Sequence, residues 1–218
     1  MKEKVIVLLS GGPDSSSLTY WLNAQGYAPI GIYMNQGKPY SFNEVQSVNK
    51  IAEDLNMLVE TIDISSMISL FNGKVPTCGA NPGGYIRFGT SIVLSIAVAY
   101  ALEHNVNKCF IAIHADDKIL GPEFTREFFK SMEESIEIAQ KNSQESNVFQ
   151  LHTPFLEKSK SDVLIIGRDL EVPFQETWSC IESTNDKHCG ECKSCLARQK
   201  AFNQAGIPDP TIYQNENV

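Results

Sequence analysis

Five consecutive apolar residues near the start of the chain, residues 5–9, are followed directly by Ser10-Gly11-Gly12. A short apolar run that is rich in β-branched residues and ends at a glycine turn predicts a strand buried on both faces. Strands of this kind belong to parallel sheets, in which crossover helices cover both faces. The feature therefore predicts an α/β fold built around a parallel sheet.

The rest of the chain alternates between strand-like and helical patterns, as this fold requires. Further strands are predicted at residues 30–34, 58–64, 108–113 and 148–151. Helices are predicted at residues 15–25, 42–55, 91–102, 123–141, 161–170 and 194–204. Glycine and proline recur in residues 71–85, which predicts a long loop of a kind that is usually functional. We expect a single α/β domain over residues 1–218, with helices on both faces of the sheet.

Composition narrows the classes of function. Hydrophobic residues make up 42% of the chain, which is enough to form a core. The net charge of −8 argues against broad binding to nucleic acid, which needs clustered lysine and arginine. No apolar run approaches the roughly 18 residues of a membrane span, and the start of the chain lacks a secretory signal pattern. We expect a cytoplasmic protein with no membrane partner.

The connection from the first strand to the first helix, residues 10–16, has the features of a phosphate-binding loop. Gly11 and Gly12 allow a tight turn and a close approach to a ligand. The following helix start offers free N–H groups and a positive dipole end, and Asp14 can hold Mg²⁺ against phosphate oxygens. The loop matches neither the Walker nor the G-x-G-x-x-G pattern. A plain connection with Asp14 or Ser15 as N-cap is the alternative.

Four of the six cysteines lie close together: Cys180, Cys189, Cys192 and Cys195. Four thiolates close a tetrahedral Zn²⁺ site that leaves no open position for chemistry. We predict one structural zinc ion per chain within residues 178–205, which contributes to folding directly. A redox cysteine pair, or His188 in place of Cys180, is the alternative. Cys78 and Cys109 are not expected to be ligands, and Cys109 is expected in the core.

Together these motifs resemble one family. Ser10-Gly11-Gly12-x-Asp14-Ser15 resembles the PP-loop of ATP pyrophosphatases, whose fold is adenine nucleotide α-hydrolase-like. Its combination with C-x8-C-G-x-C-x2-C near the end of the chain resembles the 7-cyano-7-deazaguanine synthases (QueC-type). Other matching segments are Leu94-Ser95-Ile96-Ala97, His152-Thr153-Pro154, Lys160 and Leu196 with Arg198.

The resemblance implies a ligase that uses ATP with Mg²⁺, forms a homodimer and releases AMP and pyrophosphate. Its substrates would be 7-carboxy-7-deazaguanine and ammonia, and its product the nitrile, 7-cyano-7-deazaguanine. The residues implied to hold the ATP phosphates are Leu8, Leu9, Ser10, Gly11, Gly12, Pro13, Asp14, Ser15, Ser16, Ser17 and Leu18.

Three residues are candidates for a catalytic role. The resemblance implies that Lys160 offsets the negative charge that develops as pyrophosphate leaves, and Asp14 can hold Mg²⁺ beside the phosphates. Arg126 can bind a carboxylate or a phosphate with two hydrogen bonds. A solvated lysine and a surface ion pair are the respective alternatives for Lys160 and Arg126.

Three segments depart from the family pattern, and they flank the deazapurine pocket that the resemblance implies. Phe88-Gly89-Thr90 replaces Gly-Arg-Asn, with Arg87 slightly earlier in the chain. Residues 122–126, Pro-Glu-Phe-Thr-Arg, replace Tyr-Pro-Asp-Cys-Arg, and residues 36–39 replace Gly-Gln-Arg-His. These departures leave open a relative that uses another amine, including one on a protein. A tRNA-modifying PP-loop enzyme and a non-catalytic nucleotide-binding module are further alternatives.

The remaining polar candidates are less specific. Asp116 and Asp117 follow the fourth strand, where one carboxylate can hold Mg²⁺ or bind a purine N–H edge while the other serves the turn. His114 and His152 are interpreted as structural. A solvated helix face accounts for three further acidic residues, Glu133, Glu134 and Glu137.

Overall fold

The computed structural model describes residues 2–71, 74, 86, 88–140, 148–183 and 185–214. Five parallel strands form a sheet in this part of the chain: β1 (Lys4–Leu8), β2 (Ala28–Asn35), β3 (Val59–Asp63), β4 (Lys108–Phe110) and β5 (Gln150–His152). Their spatial order is β3-β2-β1-β4-β5. The order reverses beside β1, so the carboxyl ends of β1 and β4 flank the crevice in which open α/β sheets bind ligands.

Helices cover both faces of this sheet. They are α1 (Pro13–Ala24), α2 (Ser41–Asp54), α3 (Ser65–Leu70), α4 (Gly89–Glu103), α5 (Arg126–Gln140), α6 (Lys160–Asp169) and α7 (Lys193–Ala205). Short 3-10 turns occur at Ala115–Leu120, Pro122–Phe124 and Phe174–Glu176. No helix in the described ranges combines the length and the apolar character needed to cross a membrane.

Successive side chains of β1 point to opposite faces of the sheet, as they do in any strand. Val5 and Val7 pack with Leu18 of α1 and Val163 of α6. Ile6 and Leu8 pack on the opposite face, in the cluster that α4 and α5 complete. The predicted strand, buried on both faces, is confirmed.

Helices α1 and α6 approach closely at Gly167. A Cβ atom built on Gly167 would lie 2.3 Å from Ser17 Oγ and 2.5 Å from Phe174 Cζ. Both helices begin at the carboxyl edge of the sheet, because each follows a parallel strand. Their first turns, which carry Asp14 and Lys160, are therefore brought together.

The predicted α/β class and the five strands are confirmed, whereas some boundaries were wrong. Helix α5 begins at Arg126 rather than at residue 123, because Thr125 has extended backbone and its Oγ1 accepts from Phe128 N (3.4 Å). Strand β4 ends at Phe110 rather than at residue 113. Helix α3 was not predicted, and Asp63 Oδ1 accepts a bond from Ser65 N at its start (2.8 Å). Most of the predicted loop 71–85, with Cys78, lies outside the described residues, as does Arg87.

Candidate nucleotide site and cysteine cluster

Serine hydroxyls close the loop between β1 and α1. Ser15 Oγ accepts from Ser10 N and donates to Gly12 O, both at 3.2 Å. Ser10 Oγ lies 3.1 Å from Ser15 Oγ and 3.4 Å from Gly12 N. Pro13 occupies the first turn of α1, where its missing N–H costs nothing. The loop thus presents two hydroxyls at the N-terminus of a 12-residue helix, which attracts anions.

Gly11 is required by the packing of α2 against this loop. Its φ is +78°, and a Cβ atom there would lie 2.8 Å from Glu44 O and 2.9 Å from Ser47 Cβ. Gly12 differs, because its φ is −76° and its added Cβ would meet Ser10 Oγ and Trp178 O at ordinary distances of 3.4 and 3.6 Å.

We expect Gly11→Ala to lower the free energy of unfolding by about 2 kcal/mol or more, through backbone strain and overlap with α2. Gly12→Ala is the matched control and should cost less than about 1 kcal/mol, because its Cβ fits. Urea unfolding of the two variants measures the difference. Equal stabilities would show that α2 does not restrict the loop.

The other residues that were predicted to form the phosphate-binding loop are buried. Leu8, Leu9 and Leu18 are buried in the core. Ser16 and Ser17 are fully buried, and the Oγ atoms of both have no hydrogen-bond partner among the described residues. Ser17 faces α6 at Gly167.

Asp14 and Lys160 form an ion pair at the crevice. Lys160 Nζ lies 2.5 Å from Asp14 Oδ2, and the two side chains are only 20% and 18% exposed. Burial alone would disfavour both charges, but their attraction outweighs it. The pKa of Asp14 is therefore held below its ordinary value and the pKa of Lys160 above its own. Asp14 Oδ1 is buried without a hydrogen-bond partner in the described part of the chain, so the carboxylate retains an oxygen for a further ligand.

The carboxyl end of β4 adds polar groups to the same place. His114 Nε2 lies 3.8 Å from Asp14 Oδ2, and His114 Nδ1 lies 3.4 Å from Asp117 Oδ2. Burial raises the pKa of Asp117. Asp116 Oδ2 instead accepts a bond from Lys160 N (2.8 Å) and fixes the start of α6. The sequence did not show this proximity of His114 to the two carboxylates, because the strand order creates it. His152, by contrast, stacks on Phe110 with ring centroids 4.5 Å apart.

Arg126 occupies a different environment from the other catalytic candidates. Its Nη2 lies 3.1 Å from Glu157 Oε1, and its side chain is 69% exposed. Lys118 Nζ also binds Glu157, at 2.8 Å. The structure thus favours the surface ion pair over a binding role for Arg126.

Glu44, which lies beside the loop, has a carboxyl group with a raised pKa. Its Oε2 accepts a bond from Tyr33 Oη (2.8 Å), and burial raises the pKa of Glu44 from its ordinary 4.5 to about 7. Because the folded state then binds this proton more tightly than the unfolded state, the stabilisation is complete below pH 4.5 and is lost as the pH rises to about 7.

We expect the stability difference between wild type and Glu44→Gln to fall by about 1–3 kcal/mol from pH 4.5 to 7.5, since the variant lacks the proton-linked term. Glu53→Gln on the same helix is the control, because the Glu53 side chain is 71% exposed. Unfolding free energies across this pH range test the prediction. A pH-independent difference for Glu44→Gln would contradict it.

The four clustered cysteines converge at the start of α7. All four sulfurs lie within 4.8 Å of one another. Cys189 Sγ is 3.8 Å from Cys195 Sγ, and Cys192 Sγ is 3.9 Å from Cys180 Sγ. The predicted ligands are therefore brought together as a set that can hold one metal ion.

Backbone amides support these sulfurs. Ser183 N and Cys189 N both donate to Cys180 Sγ at 3.3 Å, and Cys192 N donates to Cys189 Sγ at 3.2 Å. Such bonds favour sulfur in its charged, metal-ligating form. The group of four sulfurs includes Cys180 and not His188, whose Nε2 accepts a bond from Ser179 N (3.0 Å).

Arg198 is a buried residue whose role the sequence did not reveal. It is fully buried, and it donates to Thr177 Oγ1 and to Phe174 O, both at 2.8 Å. Its Nε lies 3.2 Å from Asp209 Oδ1. Burial of a charge requires such partners, and here they fasten α7 to residues 174–179.

Two of the segments that depart from the family pattern, residues 88–90 and residues 122–126, are in contact with each other. Glu123 Oε2 accepts from Thr90 N (2.8 Å), and its Oε1 accepts from Phe88 N. Phe88 has a φ of +65°, a conformation that favours glycine. The carboxylate of Glu123 thus occupies the N-terminus of α4 in this chain.

Comparison with known proteins finds a family and relatives that match nearly the whole chain. The family described as "Queuosine biosynthesis protein QueC" matches residues 4–206. The "7-cyano-7-deazaguanine synthase" of Nitratiruptor sp. is 32% identical over 222 residues, covering 97% of this chain and 99% of the relative. That of Cupriavidus metallidurans is 31% identical over 230 residues, covering 100% of each.

Solved structures share the fold at low sequence identity. The U34-tRNA thiolase NcsA of Methanococcus maripaludis, with its [4Fe-4S] cluster, has a TM-score of 0.56 and 19% identity over 93% of this chain and 64% of that chain. NMN synthetase of Francisella tularensis has a TM-score of 0.54 and 16% identity over 95% and 78% of the two chains.

Proposed function

Because the chain belongs to the QueC family of queuosine biosynthesis proteins, we propose that it is an ATP-dependent ligase that makes 7-cyano-7-deazaguanine from 7-carboxy-7-deazaguanine and ammonia. ATP would be bound by the loop of residues 8–18 at the N-terminus of α1. The products from ATP would be AMP and pyrophosphate.

The observation that carries this proposal is the Asp14–Lys160 pair beside the serine-closed loop. A cation and a carboxylate with one free oxygen adjoin an anion-attracting helix start. No lysine occupies the position that a Walker loop uses to grip the terminal phosphates. This supports attack at the α-phosphorus, with pyrophosphate as the leaving group.

The chemistry then follows from the groups present. A carboxylate oxygen of the substrate attacks the α-phosphorus, and the α–β bond breaks as Lys160 offsets charge on the departing pyrophosphate. Ammonia attacks the activated carbonyl carbon, a proton is lost, and AMP leaves to give the amide. The amide oxygen attacks the α-phosphorus of a second ATP and a second pyrophosphate leaves. Loss of AMP, which carries that oxygen, and of the two nitrogen-bound protons then gives the nitrile. Asp14 would hold Mg²⁺, which supplies charge neutralisation for the phosphates.

We propose that the cysteine cluster holds one zinc ion with a structural role. Four sulfurs at about 2.3 Å from Zn²⁺ lie about 3.8 Å apart. Two sulfur pairs of the cluster lie 3.8 and 3.9 Å apart, and all four sulfurs lie within 4.8 Å of one another. A [4Fe-4S] cluster binds each of its four thiolates to an iron atom of its own, so those sulfurs would be spaced more widely. Four cysteine ligands leave no open position on the ion.

The direct test is incubation of the purified protein with ATP, 7-carboxy-7-deazaguanine and ammonium, followed by mass spectrometry. We expect the nitrile, AMP and pyrophosphate, with no nitrile when ammonium is omitted. Formation of ADP in place of AMP would contradict the mechanism.

A second candidate keeps the adenylation step and changes the amine. It is favoured by Glu123, whose carboxylate lies at the N-terminus of α4 where two departing segments meet. Replacing ammonium by primary amines in the same assay separates the two functions, because an amide conjugate has a distinct mass.

We further propose that the whole chain acts as one catalytic domain, with residues 178–205 as its metal-binding part, and that it forms a homodimer. Light scattering of the purified protein tests the homodimer.

A further inference from the structure

One segment, residues 174–180, connects the cysteine cluster to the phosphate loop. Trp178 N donates to Gly11 O at 2.9 Å. Two residues later Cys180 joins the cluster, and Trp178 Nε1 donates to Cys180 O at 2.6 Å. The indole ring also packs against His188, with centroids 4.2 Å apart and the ring planes tilted by 40°. Trp178 therefore contacts both sites at once and is itself buried, with 8% of its surface exposed.

The bond to Gly11 fixes the direction of the next amide in the loop. In a trans peptide the C=O and the N–H point in opposite directions. Because Gly11 O faces Trp178, the N–H of Gly12 points away from it, toward Ser10 Oγ at 3.4 Å. That N–H is the kind of donor that receives a phosphate oxygen at a helix start.

The cluster in turn fixes the segment through α7. Cys192 caps α7 and Cys195 lies in its first turn. One turn later, Arg198 binds Thr177 Oγ1 at 2.8 Å and Ser179 Oγ at 3.2 Å. A metal that draws the four sulfurs together thus holds α7 and, through Arg198, both neighbours of Trp178.

We propose that Trp178 is a positioning residue through which metal binding at the cysteine cluster strengthens nucleotide binding at the phosphate loop. This inference rests on the proposed binding of ATP at that loop. Coupling between two binding sites is reciprocal, so ATP must strengthen metal binding by the same factor. The metal needs no contact with the nucleotide for this effect.

The test measures zinc affinity of the full chain by competition with a chromogenic chelator, with and without Mg-ATP. We expect ATP to raise the zinc affinity by about fivefold or more, within the usual range of coupling. Thr177→Val removes the Oγ1 acceptor of Arg198 while preserving shape, and should reduce the factor to less than about twofold. Tyr20→Phe is the matched control, since it removes a part-buried hydroxyl contact, to Asp54, and none of the hydrogen bonds of the segment, and should retain full coupling.

Two further measurements keep the outcomes distinct. Trp178→Phe removes the indole bond to Cys180 O and part of the ring contact with His188, while the backbone bond to Gly11 can remain. It should also weaken the coupling, so it decides the question if Thr177→Val fails to fold. Trp21→Phe leaves Trp178 as the remaining tryptophan of the two in the chain, and its emission should change when Mg-ATP binds.

Binding of ATP with unchanged zinc affinity would overturn the inference and leave the proposed function intact. Equal coupling in wild type, Thr177→Val and Trp178→Phe would show general stabilisation of the fold and would likewise overturn it. Absence of ATP binding to the wild type would overturn both the inference and the proposed nucleotide site.

Discussion

Lys160→Ala is expected to lower turnover by about 10²-fold or more, the usual effect of removing one charge-stabilising group from a transition state. The ammonium lies 2.5 Å from Asp14 Oδ2 at the loop implied to hold the phosphates. As the α–β bond breaks, charge accumulates on pyrophosphate, and the lysine acts where that charge develops. Affinity for ATP should change little, because the loop and the helix start remain.

Lys158→Ala is the matched control, since Lys158 belongs to the same connection but is exposed. The measurement is pyrophosphate release under saturating substrates, together with ATP affinity by calorimetry and a melting temperature for each variant. Normal turnover in Lys160→Ala would show that Lys160 only forms an ion pair with Asp14 and has no catalytic role. A parallel loss in Lys158→Ala would point to disruption of the loop.

Cys192→Ser is expected to lower the free energy of unfolding by about 4 kcal/mol or more, because loss of a metal belongs to the largest single-residue effects. Cys192 provides one of four converging sulfurs and also caps α7, where its Sγ accepts from Cys195 N at 3.4 Å. The zinc content should fall from one ion per chain to well below one. Metal analysis and urea unfolding give both quantities.

Cys109→Ala is the control for this prediction. Cys109 is fully buried in the core and is not part of the cluster. The variant should lose some stability through a small cavity but retain its zinc. A wild-type protein with well under one metal ion per chain would contradict the structural role of the cluster.

The sequence alone was sufficient for the features whose cause is local. The apolar run before Ser10 predicted the first strand, because a strand buried on both faces needs no polar alternation. Gly11 and Gly12 predicted a close-approach turn, which the positive φ of Gly11 confirms. The short spacing of Cys189, Cys192 and Cys195 restricts how far their sulfurs can separate, so a cluster could be expected from the chain itself.

Other features depended on the order of the strands, which no local pattern encodes. His114 and Asp117 lie near Asp14 because β4 pairs with the free edge of β1. The pairing of β4 with β1 thus decides which residues that are distant in the chain come into contact. Arg126 was a catalytic candidate because its side chain can bind a carboxylate or phosphate with two hydrogen bonds, but it lies in a surface ion pair with Glu157.

The link between the two sites was likewise decided by tertiary structure. Trp178 meets Gly11, and Arg198 meets Thr177, across long stretches of chain. A bond from a backbone N–H does not depend on the type of side chain, so the sequence gives no sign of it. Nor does the sequence distinguish a buried arginine in a helix from an exposed one. Their roles arise because buried polar groups must find partners, and only the packed structure determines which partners are within reach.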